Sequence, residues 1–98
     1  MRPKAIGFLR RDISGIRRER HEMEIRSRAR ELGYDLARMV MLGPSADAID
    51  RLVVMLNRLG AAAVIAPSAE HVVEARDQLC AVCDLVIVTP QERWPLGR

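Results

Sequence analysis

Five arginines fall within eleven residues, at Arg10, Arg11, Arg17, Arg18 and Arg20, with only Asp12 and Glu19 among them to offset the charge. Guanidinium groups are planar, permanently charged and suited to bidentate contacts with phosphate. A surface of this kind reads as a candidate nucleic-acid contact. The competing reading is a solvated helix face laced with ion pairs, because Glu22–Arg26 and Glu24–Arg28 stand at the i,i+4 spacing. No Phe, Tyr or Trp is interleaved with the arginines to stack bases. The asymmetry runs through the chain. Residues 1–38 hold eleven cationic against six anionic side chains, a balance of +5, while residues 39–98 hold five against seven, a balance of −2.

The other chemistry-bearing residues are few. Cys80 and Cys83 are spaced as in a redox or zinc motif, but the pair closes a helical stretch and leads into a strand. A redox pair instead opens a helix, where the helix terminus lowers a thiol pKa. Zinc needs two further ligands, and only His21 and His71 are available, at no partner spacing. The cysteines therefore read as small hydrophobes in a reducing compartment. No metal or cofactor is expected. Neither G-x-G-x-x-G nor G-x-x-x-x-G-K-[ST] occurs, and the third apolar run ends Ile65-Ala66-Pro67 without the carboxylate of a phospho-acceptor site.

The elements that position these residues follow from the hydrophobic pattern. At 98 residues, with 49% hydrophobic and 30% charged side chains but only 3% aromatic, the chain is one domain with an aliphatic core. Its longest apolar runs fall far short of the roughly 20 residues of a membrane span. No apolar leader follows Met1-Arg2-Pro3-Lys4, so a cytoplasmic protein without membrane contact is expected. Ala5 to Leu9 reads as a buried strand and Arg10 to Gly15 as a loop. A helix over about Ile16 to Leu32 carries Ile25, Ala29 and Leu32 inward and stops at Gly33. Tyr34 to Leu42 is a second strand. A helix capped by Ser45 or Asp47 then runs to Leu59. Ala61 to Ala66 is a doubly covered third strand, and Ser68 caps a helix from Ala69 to about Leu79. Asp84 to Thr89 is the fourth strand, and residues 91–98 form an irregular tail.

This alternation predicts an α/β fold over residues 1–90. Its sheet is expected to have four parallel strands in the order 2-1-3-4, with Gly7 and Val64 on central strands and helices on both faces. In such sheets ligands gather at the carboxyl ends of the strands. That directs attention to Arg10–Gly15 and Pro67–His71.

Ile6-Gly7-Phe8-Leu9-Arg10, then Glu19-Arg20-His21, Ile25, Ala29 and Gly33-Tyr34, is similar to the opening of the N-terminal domain of resolvase/invertase-type serine recombinases. Leu59 to Ala66 resembles that family's third strand, and the likeness spans roughly residues 4–89. It implies a domain whose relatives attack a DNA phosphodiester with a serine and stabilise the phosphoryl charge with arginines. The departures fall on those residues. Asp12 stands at the nucleophile position, His21 at a glutamine, and Pro67-Ser68-Ala69-Glu70-His71 where the family carries an acidic residue and two arginines. Of that constellation only Arg10 remains. Arg10, Asp12, His21 and Ser68 therefore mark a vestigial pocket with no catalytic residue.

Ser14 is the one candidate for a displaced nucleophile. On the inward stripe, His21 is expected to face Arg10 or Asp12, and pairing with Asp12 would raise its pKa. Pro90 and Pro95 preclude a continuous helix over residues 90–98, where the family's long dimerisation helix would begin. The resemblance thus points to a stand-alone, non-catalytic module, associated with DNA through the arginine cluster or regulatory. The alternatives are docking to a protein partner or a second copy, marked by an apolar patch at Met39, Met41 or Trp94, and residual recombinase activity.

Overall fold

Each interior strand is apolar at consecutive positions because both of its faces are covered. In β1 (Lys4–Arg10), Ala5 and Leu9 face one buried cluster while Ile6 and Phe8 face the other. The computed structural model describes residues 2–45 and 47–97. After β1 come the one-turn helix α1 (Arg11–Ser14), a 3₁₀ turn at Gly15–Arg17, and the long helix α2 (Arg18–Leu32). Then follow β2 (Asp35–Leu42), α3 (Ala48–Leu59), β3 (Ala63–Ala66), two 3₁₀ turns at Ala69–His71 and Val73–Ala75, α4 (Arg76–Cys80), β4 (Asp84–Ile87) and β5 (Glu92–Trp94). Among the described residues, no helix is long and apolar enough to cross a membrane.

The sheet has five strands in the order β2-β1-β3-β4-β5. The first four pair parallel in the order that the sequence predicts, and Gly7 and Val64 lie on the interior strands β1 and β3. The expectation of a purely parallel four-stranded sheet is corrected by β5, which pairs antiparallel with β4. Part of the predicted irregular tail is thus a strand. It is held by the Arg93 guanidinium on the Asp84 carboxylate at 2.6 Å and by the Leu96 N–H on the same carboxylate at 2.7 Å.

Helix α2 lays Ile25 and Ala29 over one face, against Ala5, Leu9, Ile65 and Val86. Helices α3 and α4 cover the other with Leu52, Leu56 and Leu79, against Ile6, Phe8, Val64, Leu85 and Ile87. Helix α2 sits close to β1 because Gly7 has no side chain. A Cβ built there would stand 2.8 Å from Ile25 Cγ2 and 2.6 Å from Met39 Sδ. Helix α2 ends as predicted, with Gly33 in the left-handed region at φ 78°.

Three local readings are corrected. Arg11–Ser14 is helical rather than loop, so α2 continues a preceding turn: the Arg18 N–H already donates to the Gly15 carbonyl. Asp47 precedes α3 without a side-chain cap. Its carboxylate takes the Ser45 hydroxyl and the Arg51 guanidinium instead. The helix expected over 69–79 breaks into 3₁₀ turns and the five-residue α4, with Ser68 extended and its side chain capping nothing.

Candidate functional site

The carboxyl ends of β1, β3 and β4 converge, and backbone pairing runs past the strands, with the Val88 and Thr89 N–H groups on the Ala66 and Pro67 carbonyls at 3.0 Å each. Here a cleft of about 540 Å³ opens between the start of α2 and the segments that follow β3 and β4. Its walls carry Arg17, Arg20, His21 and Glu24 on one side and Ser68, Glu70, His71 and Thr89 on the other.

Arg10 ends β1 with its guanidinium held by a neighbour. Nε and Nη2 donate to the two oxygens of Asp12 at 3.2 and 2.7 Å. The short chain connection makes this a local bidentate pair, and the Arg10 hydrogen bond holds the Asp12 carboxyl below its ordinary value. Asp12 therefore occupies the guanidinium that ends β1.

Among the described residues His21 makes no hydrogen bond to Asp12, one of the two neighbours its place on the inward stripe suggested. Its Nδ1 lies 2.9 Å from the Ser14 hydroxyl. Ser14 is only 2% exposed, so its hydroxyl is a buried partner of the imidazole and not a nucleophile presented to a large substrate. The other side of His21 meets His71 edge to face, with ring centroids 5.6 Å apart and planes at 87°.

His71 is the residue that sequence reasoning left out of the site. It is 2% exposed, and its Nδ1 accepts the Arg10 backbone N–H at 2.9 Å. An acceptor Nδ1 places the ring proton on Nε2, and that atom has no hydrogen-bond partner. Leaving a buried donor unpaired costs about 1–3 kcal/mol. Burial, reinforced by the nearby His21, pushes the His71 pKa down to about 4. The one available signal was position: a histidine just after the third strand of a parallel sheet, where sites gather. Ser68, the last member of the predicted pocket, lines the cleft and offers its carbonyl to the His71 N–H at 3.3 Å.

The arginine cluster divides. Arg10 is paired to Asp12, and Arg18 to Glu22 at 3.1 Å. Arg11, Arg17 and Arg20 are exposed, and no ion pair among the described residues involves them. At the start of α2 the Arg18 N–H is used by the preceding turn.

The remaining candidates are structural. Cys83 is buried, its thiol donates to the Leu79 carbonyl at 3.5 Å, and burial raises its pKa to about 12; Cys80 is half-buried and also raised. No group of three or more His, Cys, Asp or Glu among the described residues could hold a metal. The predicted apolar patch is not where it was sought. Met39 and Met41 pack on the α2-side core, and Trp94 packs on the other under the Arg76 guanidinium, 4.2 Å from its ring centroid. The large exposed hydrophobics on the α2 side are Ile16 and Met23. Compared with protein-family models, curated proteins and solved structures, the chain gives no match.

Proposed function

We propose that the chain is a resolvase-like module without strand-cleaving chemistry, and that it associates with nucleic acid through the surface around Arg11, Arg17 and Arg20. The observation that carries this reading is the division of the cluster. Two guanidiniums are neutralised by Asp12 and Glu22, while three stand exposed, two of them on the walls of the cleft. Unpaired guanidiniums are the groups that contact phosphates and release counterions from the duplex. The absence of chemistry is supported by Arg10, whose Nε and Nη2 donate to a carboxylate rather than standing open to a phosphate. A negative charge at Asp12 also repels a phosphodiester.

The test is duplex binding by fluorescence anisotropy across a salt series. Three phosphate contacts give a log–log slope of about −2.7, at about −0.9 per contact. Replacing Arg11, Arg17 and Arg20 with Ala flattens the slope and weakens all sequences alike. No retention of duplex even at about 50 mM salt overturns the reading. The second reading, protein docking, rests on Ile16 and Met23, which border a groove with Val88 beside Arg20. A molar mass that rises with concentration and drops on Met23→Glu would favour it.

A further inference from the structure

The cleft at the carboxyl edge holds a feature that phosphate contacts do not use. His71 is almost wholly buried in its lining, with a proton fixed on Nε2 and nothing to receive it. Around it the formal charges cancel, Arg17 and Arg20 against Glu24 and Glu70. The carboxylates oppose a phosphate dianion, and the charged rim opposes an apolar ligand. The lining suits an uncharged molecule that presents acceptors and donors together. Guanidiniums would meet its acceptors, and the two carboxylates its donors. Serine and threonine hydroxyls at Ser68 and Thr89 serve either role. The volume, about 540 Å³, lies in the range of small-molecule sites.

We infer that this cleft binds an unpaired nucleobase, presented either by a free nucleoside or by a single strand. Unpaired bases are read by hydrogen bonds along their edges and by stacking on imidazole or guanidinium planes, and His21, Arg17 and Arg20 supply both kinds of plane. The source of the base in a strand rests on the nucleic-acid reading above; recognition of the base itself does not.

The experiment follows the His71 Nε2 resonance of the ¹⁵N-labelled protein by long-range proton–nitrogen correlation. Adenosine, cytidine, uridine and inorganic phosphate are the probes. At least one nucleoside shifts the resonance saturably with a millimolar midpoint, and inorganic phosphate does not. Arg17→Ala with Arg20→Ala, and separately Glu24→Gln with Glu70→Gln, each weaken that midpoint about 10-fold, and these surface changes spare the core. A single-stranded oligonucleotide competes with the nucleoside. A larger response to phosphate than to every nucleoside, or no response to any nucleoside, overturns the inference. If nucleosides fail while duplex binding keeps its salt slope, only this inference falls. If nucleosides bind while duplex is not retained, the base site stands and the duplex reading falls.

Discussion

Acid should weaken this fold in a pH window that belongs to His71. In the folded chain its pKa is about 4, against 6.5 for the free side chain. The unfolded chain therefore takes up the proton first as pH falls. His71 contributes its full stabilisation above pH 6.5 and loses it progressively between 6.5 and about 4. At about 1.4 kcal/mol per unit, the whole window is worth at most about 3.5 kcal/mol. That is a large share of the 5–15 kcal/mol typical of a domain. The geometric cause is specific. Protonation converts Nδ1 from acceptor to donor, which breaks its bond with the Arg10 N–H and sets two donors face to face. The carboxylates on arginine partners, Asp12 and Asp84, are held below 3.8 and lose their stabilisation only at lower pH. Urea unfolding followed by Trp94 fluorescence at steps from pH 7.5 to 4 measures the slope. His71→Asn keeps an acceptor near the Arg10 N–H and removes the titrating ring, so its stability stays flat across the same window. A wild-type slope equal to that of the variant would refute the reasoning, as would a His71 resonance titrating near 6.5.

Three further outcomes are expected. Gly7→Ala costs about 1–3 kcal/mol, because β-branched Ile25, 2.8 Å from the new Cβ, cannot yield as Met39 can; thermal unfolding shows it as a drop in Tm of several degrees. Asp84→Ala removes the acceptor for both Arg93 and the Leu96 N–H, costs about 1–2 kcal/mol, and frays β5, which faster amide exchange at Arg93 and Trp94 reports. Asp12→Ser yields no nicking, relaxation or covalent adduct on supercoiled plasmid, because Ser68 to His71 still offer no arginine; an adduct dependent on Ser14 in the unmodified chain would contradict the non-catalytic reading.

Strand order was readable where burial on both faces leaves an uninterrupted apolar run, as in Ala63–Ala66 and in Leu85 to Ile87. Strand β5 was not, since Glu92-Arg93-Trp94 is short, charged and bracketed by Pro90 and Pro95. What holds it is tertiary: Asp84 below it and Arg76 over Trp94. The same physics hid the centre of the site. Arg10 and Asp12 stand two residues apart, close enough for a local pair to form, so Asp12 is taken before His21 can reach it. His21 turns instead to Ser14, also on its own side of the sheet edge. His71 meets Arg10 across 61 positions of sequence, a contact that no local spacing encodes. Its segment breaks into 3₁₀ turns where helical propensity favoured a continuous helix. A backbone N–H at the end of β1 needs an acceptor, and the imidazole from beyond β3 supplies it. That satisfied bond fixes the tautomer that leaves Nε2 unpaired at the cleft. One structural hydrogen bond thus decides which ring nitrogen of His71 carries the proton.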